Sequence, residues 1–130
     1  MQEIPRTHAV NWFEIPVQDM ERAQRFYETL LAAPLKREQV GAYTLAVFPA
    51  AGGGVGVGGC LLAGGDAPPP AQTGTVVYLN AEPSLDTVLA RVEAAGGRIA
   101  MPRIDLPGEL GCCAHVLDPE GNRVGLHALA

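Results

Sequence analysis

The sequence lacks the features that mark several classes of protein, and each absence narrows the function. It carries a formal net charge of -5 over 130 residues, and no basic stripe runs along it. Nucleic-acid binding is therefore not expected, because phosphate backbones are bound by clustered Lys and Arg side chains. No apolar run reaches transmembrane length, and the first residues lack the apolar core of a signal peptide. We expect neither a nucleic-acid nor a membrane partner.

Cysteine is also scarce. The chain has three cysteines, Cys60, Cys112 and Cys113, and no C-x-x-C spacing of the kind that binds metal. Their number is odd and two are adjacent, which does not favour a disulfide framework. The sequence therefore predicts reduced thiols and a cytoplasmic location.

What the sequence does have is 48% hydrophobic residues, arranged in alternating and helical patterns. A strand is predicted at 10–17, and Asp19 can cap the helix that follows, because its side chain can accept from free backbone N–H groups. Pro34 ends this helix. The apolar stripe of the helix consists of Ala23, Phe26, Tyr27, Leu30 and Leu31. Further strands are predicted at 35–40, 43–48 and 60–62.

The same order of one strand, one helix and three strands is then predicted a second time. Segment 63–73 contains a pair of glycines and a run of prolines, so it is typical of a linker. After it, a strand at 75–80 precedes a helix that Ser84 can cap and that Gly96 ends. The stripe of this helix is Leu85, Val88, Leu89 and Val92, and the last strands are predicted at 98–104, 111–117 and 122–128.

This repetition predicts a single α+β domain over residues 1–130, built from two βαβββ modules. The modules span 8–62 and 74–130, joined by the linker at 63–73. Each module contributes a half-sheet that its helix covers on one face. The uncovered faces are free to meet around a cavity, so a curved mixed sheet that binds a small molecule is expected.

The glycine-rich run at 54–59 matches the pattern G-x-G-x-x-G, but it does not predict a nucleotide site. A nucleotide site needs a helix that starts within the run, so that the helix dipole meets the phosphate. Here a strand and the linker follow instead. We expect the glycines to form a loop or an irregular strand, or to leave room for a ligand or a second subunit.

Alternation along the strands separates residues that face the helices from residues that face the open side. The final strand, after the turn Asp-Pro-Glu-Gly at 118–121, shows this clearly. Its Val124 and Leu126 share one face, while Arg123, Gly125 and His127 share the other. On the remaining strands, the residues predicted to face the open side are Trp12, Glu14, Tyr78, Asn80, Cys113 and His115.

The side chains of this set that can act as bases or metal ligands are those of Glu14, His115 and His127. One hypothesis makes Glu14 and His127 catalytic, as bases that abstract a proton next to a carbonyl. The alternative is that Glu14 only fixes the amine or hydroxyl of a ligand. A further hypothesis joins all three residues into a facial triad for a divalent metal ion. Ligand-binding roles are predicted for Trp12, Tyr78, Asn80, Cys113 and His115.

The motifs resemble those of the vicinal oxygen chelate superfamily, which includes glyoxalase I, bleomycin-resistance proteins and extradiol dioxygenases. The matching stretches are NWFEIPVQDMERAQRFYETLL, VVYLNAEPSLDTVLARVEAAGGRI and DPEGNRVGLH, and the resemblance covers nearly the whole chain. It implies paired βαβββ modules, a cavity inside each curved sheet, and a homodimer. It does not specify the reaction.

The resemblance also implies where metal ligands lie, namely on the first and fourth strands of each module. In this sequence those positions fall on Trp12, on Gly58 or Gly59, near Val76, and on Gly125. None of these residues has a side chain that binds a divalent ion well, so the usual metal site is expected to be absent. The missing side chain at Gly125 predicts a roomy cavity.

The sequence thus predicts a glyoxalase/bleomycin-resistance-like protein that binds a small organic molecule in the sheet cavity and needs no cofactor. Whether it is an enzyme stays open. One alternative is a divalent-metal-dependent lyase or isomerase that uses Glu14, His115 and His127. The other is a protein that sequesters an antibiotic.

Overall fold

The computed structural model describes residues 8–49 and 56–130, so part of the glycine-rich run lies outside the described residues. The first half contains β1 (Trp12–Pro16), α1 (Met20–Leu31), β2 (Lys36–Val40), β3 (Tyr43–Val47) and β4 (Gly58–Gly64). The second half contains β5 (Tyr78–Asn80), α2 (Leu85–Leu89), α3 (Val92–Ala95), β6 (Arg98–Asp105), β7 (Cys112–Leu117) and β8 (Arg123–Ala128).

The strands form two four-stranded mixed sheets with the same internal order. The first sheet runs β1-β4-β3-β2 and the second runs β5-β8-β7-β6. In each sheet the first strand pairs in parallel with the fourth, and the other neighbours are antiparallel. The α+β architecture with two repeated half-sheets, predicted from the sequence, is therefore confirmed, and neither sheet closes into a barrel.

Helix α1 begins and ends where its sequence predicts. The side chain of Asp19 accepts from the backbone N–H of Arg22 at 3.1 Å, which satisfies one of the free donors of the first turn. At the other end Ala32 takes the left-handed conformation with φ 52°. The buried stripe is Met20, Ala23, Phe26, Tyr27 and Leu30, and Leu31 is only half-buried.

The second predicted helix is wrong in one respect, because it is divided into α2 and α3. Ser84 caps α2 as expected, accepting from the N–H of Thr87 at 3.3 Å. The backbone then tightens, and the N–H of Arg91 donates to Val88 O, three residues back. This places the Arg91 guanidinium 3.1 Å from Leu30 O at the end of α1. A carbonyl that α1 cannot satisfy internally thereby gains a charged donor.

Several strand bounds also differ from the prediction. Strand β1 is shorter than the predicted 10–17, and β5 is much shorter than 75–80. Strand β4 extends to Gly64, which lies inside the predicted linker. Strand β5 starts at Tyr78, so Val77 lies in the connecting segment. The carbonyl of Val77 nevertheless accepts from Gly125 N at 2.8 Å. Pairing along β6 is irregular, with register shifts on both sides of Met101.

The hydrophobic core lies between the helices and the covered faces of both sheets. The first sheet contributes Ile15, Ala46 and Leu61, and the second contributes Val116, Val124 and Leu126, all buried. Aromatic rings from α1 meet in edge-to-face pairs that polarised rings favour. The ring centroids of Phe26 and Tyr27 lie 4.8 Å apart, and those of Tyr27 and Phe48 lie 5.6 Å apart.

The turn between β7 and β8, residues 118–122, fastens the second half of the chain onto the first; we call it the docking turn. Asp118 is buried and its Oδ1 accepts from the N–H groups of Glu120 and Asn122. Its Oδ2 accepts from the hydroxyl of Tyr27 at 2.7 Å. Burial raises the pKa of Tyr27 well above its usual value, and the nearby Asp118 raises it further, so the phenol stays a donor.

Glu120 makes the second attachment of the docking turn. Its fully buried carboxylate accepts from the N–H groups of Gln18 and Asp19 at 2.6 and 2.8 Å. It also pairs with the Arg22 guanidinium at 2.5 Å. The carboxylate therefore lies at the N-terminus of α1, where the helix dipole favours negative charge. The stretch around Asp19 and the turn at 118–122, two of the motifs that carry the resemblance, thus contact each other and hold the two halves of the chain together.

The described helices are all too short or too polar to cross a bilayer.

Candidate functional site

The open face of each sheet is the side turned away from the helices. Register sets which residues share it, since Trp12 pairs with Gly58 and Glu14 pairs with Cys60 on the first sheet. On the second sheet, Cys113 pairs with His127 and His115 pairs with Gly125. Trp12 and Tyr78 are both about half exposed there, at 47% and 48%. The open faces therefore carry the side chains that the alternation predicts.

Two aromatic rings on these faces lie over glycines of the neighbouring strand. A Cβ built on Gly125 would stand 2.4 Å from Cδ1 of Tyr78, a distance that no side chain tolerates. A Cβ on Gly58 would stand 3.0 Å from Cζ3 of Trp12. The prediction of a roomy cavity at Gly125 is therefore wrong, because the ring of Tyr78 occupies the space.

The same register locates the family's metal-ligand positions in this chain. Tyr78 pairs with Gly125 as Trp12 pairs with Gly58, so the first-strand position of the second half is Tyr78 and not Val76. These positions hold two aromatic rings and two glycines beneath them. They offer no imidazole and no carboxylate, and the rings fill the space above the glycines. The residues present do not fit a divalent ion at the family's position.

The hypothesis of a relocated metal site also lacks its geometry. Glu14 lies on the first sheet, whereas His115 and His127 lie on the second and bind other groups. Nε2 of His127 stands 2.6 Å from Leu110 O and carries the proton, because a carbonyl can only accept. Within residues 8–49 and 56–130, no group of three or more His, Cys, Asp or Glu side chains is placed to hold a metal ion.

Glu14 lies instead in a cavity over the first sheet, which we call the Glu14 cavity, with a volume of about 390 Å³. Its wall is formed by Val40, Tyr43, Leu45, Leu62, Asp66, Ala67 and Pro68. Tyr43 donates a hydrogen bond to Asp66, which joins β3 to the segment after β4 at the rim. Among the described residues, none forms a hydrogen bond or ion pair with the Glu14 carboxylate. A ligand group can therefore bind it.

The cysteines of the open faces are unreactive. Cys60 is buried next to Glu14, and burial together with that carboxylate raises the pKa of its thiol to about 11. The protonated thiol is a poor nucleophile at neutral pH. Cys113 is 5% exposed, so it acts as a small apolar residue of the second sheet. On the covered face, Cys112 donates weakly to Ala128 O at 3.5 Å.

Asn80, predicted to bind ligand, has its side-chain oxygen in a hydrogen bond with the neighbouring backbone. Its Oδ1 accepts from the N–H of Glu82 at 2.8 Å and so shapes the loop that leads to α2. The side-chain amide is left exposed at the end of β5. The structure therefore gives Asn80 a role in the loop that alternation could not reveal.

His115 is held between two side chains of the second sheet. Its Nδ1 stands 3.3 Å from Nη1 of Arg123, and its Nε2 stands 2.6 Å from the hydroxyl of Tyr78. Burial lowers the pKa of His115, and the positive charge of Arg123 lowers it further. The imidazole is therefore neutral near pH 7. Arg123 was missed as a site residue, although it shares its face with Gly125 and His127.

Paired four-stranded sheets of order first-fourth-third-second, each covered by helices on one face, define the class of paired βαβββ proteins. Residues 9–126 match the model of the Glyoxalase/Bleomycin resistance protein/Dioxygenase superfamily, and the chain belongs to this family. No curated protein matches the chain significantly.

Solved structures with the same fold are distant in sequence. A glyoxalase/bleomycin resistance protein from Streptomyces sp. CB03234 is 24% identical with a TM-score of 0.69, covering 92% of this chain and 99% of that one. Glyoxalase I from Zea mays is 23% identical with a TM-score of 0.64 over 91% of this chain. This chain spans only 45% of the Zea mays chain. At such identities the likeness shows the fold alone.

Proposed function

We propose that the protein binds a small organic molecule in the Glu14 cavity without a divalent metal ion. The observation that carries this proposal is the Glu14 carboxylate, which has no partner among the described residues and lies beside Val40, Leu45 and Leu62. A mostly apolar wall with one placed charge is typical of small-molecule sites, and 390 Å³ lies within their usual range of about 300–1,000 Å³.

The charge of the cavity defines the ligand. Glu14 and Asp66 both line the Glu14 cavity, and no Lys, Arg or His of the described residues lines it, while Arg123 lines a smaller adjoining cavity with Glu14. A protonated amine on an apolar or aromatic body would pair with Glu14 and pack its body on Leu45 and Leu62. This favours a cationic, partly apolar molecule. Sequestration of a cationic antibiotic is one function of this kind.

Binding is favoured over turnover for one geometric reason. The catalytic hypothesis takes Glu14 or His127 as the base, and Nε2 of His127 is already engaged, because it donates to Leu110 O. Glu14 alone keeps a free carboxylate that could act as a base. Product analysis after prolonged incubation with a bound ligand distinguishes the two functions, since recovery of intact ligand supports binding.

Calorimetric titration tests the proposal directly. Bleomycin and a panel of aromatic amines are titrated into the wild-type protein and into Glu14→Gln, which keeps the shape and removes the charge. We expect amines to bind and Glu14→Gln to weaken them by about tenfold, as loss of a charge-assisted hydrogen bond requires. Glu93→Gln, an exposed carboxylate on α3, is the matched control. Equal affinity in all three proteins would contradict the proposal.

The family membership further supports two proposals about the whole protein. We propose that it forms a homodimer and that it works in the cytoplasm with reduced thiols. Large apolar side chains are exposed on the open faces and at the strand edges, among them Trp12, Val40, Tyr78 and Ile104. Covering some of them in a dimer would remove apolar area from water. Light scattering at micromolar concentration distinguishes a monomer from a dimer by its molar mass.

A further inference from the structure

We propose that the open face of the second sheet holds a separate binding site for a small organic carboxylate, in which the hydroxyl of Tyr78 is the donor that binds the ligand. His115 and Arg123 are positioning residues of this site, and we call the three together the Tyr78 relay. The proposal goes beyond the amine site at Glu14 and does not depend on it, because the donor Tyr78 and the carboxylate of Glu14 lie on different sheets. Arg123 is the member of the relay nearest the first sheet, since it lines a cavity of about 200 Å³ together with Glu14.

The direction of the hydrogen bonds follows from Arg123. A guanidinium can only donate, so Nδ1 of His115, 3.3 Å away, accepts and carries no proton. The low pKa of His115 keeps the ring neutral, and a neutral imidazole has one N–H. That proton must be on Nε2, which then donates to the oxygen of Tyr78 at 2.6 Å.

The hydroxyl proton of Tyr78 therefore points away from His115, and its neighbour in the protein is the thiol of Cys113, a weak acceptor that a carboxylate can replace. A phenol oxygen that accepts from an imidazole N–H still has its own O–H to donate. Burial raises the pKa of Tyr78, and the nearby Cys113 raises it further, so the phenol is neutral at pH 7 and keeps this proton. Since 48% of Tyr78 is exposed, a ligand can reach the hydroxyl.

The ring that carries the hydroxyl is fixed in position. The ring lies over Gly125, so that even a Cβ at that position would stand within 2.4 Å of it. The Tyr78 and His115 rings are also in contact, with centroids 5.3 Å apart. A donor that is already oriented loses little conformational freedom when it binds its acceptor.

The local charge selects an anion. Among the described residues, no carboxylate forms an ion pair with Arg123, and Glu14, which lines a cavity with it, makes no direct contact with its guanidinium. A carboxylate that accepts from the Tyr78 hydroxyl would lie near this charge. A neutral amide of the same shape would gain the hydrogen bond but not the charge attraction, so it should bind more weakly.

Benzoate is the probe, and benzamide is its neutral counterpart. Titration followed by NMR at pH 7 is expected to show benzoate binding, with benzamide weaker. Tyr78→Phe keeps the ring over Gly125 and removes only the hydroxyl, so benzoate affinity should fall by about tenfold. Tyr43→Phe, which removes the hydroxyl at the rim of the Glu14 cavity, is the matched control and should bind as the wild type does. No benzoate binding, or equal affinity in Tyr78→Phe, overturns the proposal.

The role of the positioning residues has its own spectroscopic test. Nitrogen NMR of the wild-type protein should show His115 protonated on Nε2 and unprotonated on Nδ1. Arg123→Met should produce a mixture of tautomers and weaken benzoate, while Arg123→Lys, which keeps a charged donor, should restore most of the affinity. A proton on Nδ1 in the wild-type protein overturns the relay. Glu14→Gln, which weakens amines, should not weaken benzoate, so failure of the amine site and failure of this one are distinguishable.

Discussion

The ring of Tyr78 occupies the space above Gly125, and the two residues face each other across the parallel pair β5–β8. The first sheet repeats this relationship with Trp12 and Gly58. At the positions where the family's metal-dependent members place ligands, this protein has a glycine covered by an aromatic ring. The pairing explains why these glycines are needed, because any side chain there would meet the ring.

Gly125→Ala should destabilise the protein by about 1–3 kcal/mol, because the new methyl group forces the Tyr78 ring off its place and strains the sheet. Chemical denaturation measures the loss. Adding Tyr78→Ala should recover part of it, since the ring is then absent, and this double mutant separates the ring contact from a general effect on β8. Gly56→Ala is the control, since no atom of the described residues lies within 4 Å of a Cβ there. If the second substitution only adds to the loss, the ring is not the cause.

Divalent metal ions should neither bind tightly nor stabilise the protein. Dialysis against Zn²⁺, Ni²⁺ or Mn²⁺ followed by elemental analysis is expected to give far less than one ion per chain. A chelator should leave the melting temperature unchanged, since an ion bound to the native state alone would raise it. Stoichiometric uptake that is lost in a Glu14→Gln variant would restore the relocated metal site.

Glu120→Gln should cost about 1.5–3 kcal/mol of stability. The buried carboxylate accepts from two backbone N–H groups and pairs with Arg22, and an amide cannot accept from all of them. Thermal unfolding measures the change, and Glu93→Gln on the exposed side of α3 should be nearly neutral. A similar effect of both substitutions would show that the docking turn does not depend on this charge.

Stability should fall below about pH 6.5, in part because of His115. Its pKa is lowered in the folded protein, so the unfolded chain takes up a proton first as the pH drops through its ordinary value of 6.5. The contribution is therefore fully present above that pH and is lost as the pH falls towards the folded-state pKa. Unfolding free energies at pH 7.5 and 5.5 should differ less in His115→Asn than in the wild type. An equal difference would show that other groups carry the pH dependence.

Much of the architecture was readable from the sequence because it rests on local rules. Asp19 and Ser84 cap their helices because a short polar side chain before an apolar stripe can satisfy the first N–H groups. Alternation assigned the open-face residues correctly, since successive residues of a strand point to opposite sides. The division between α2 and α3 was missed, and with it the contact of Arg91 with Leu30 O, which joins residues far apart in the sequence.

The sequence by itself determined the two repeated half-sheets, their helices and the residues of the open faces, because periodicity and capping act between near neighbours. Only the tertiary structure decided what those residues contact. The register of β5 on β8 placed Tyr78 over Gly125, and the register of β7 on β8 placed His115 next to that pair. Strand register joins residues distant in the chain, so no local pattern could show that the space at Gly125 is filled or that Arg123 contacts His115.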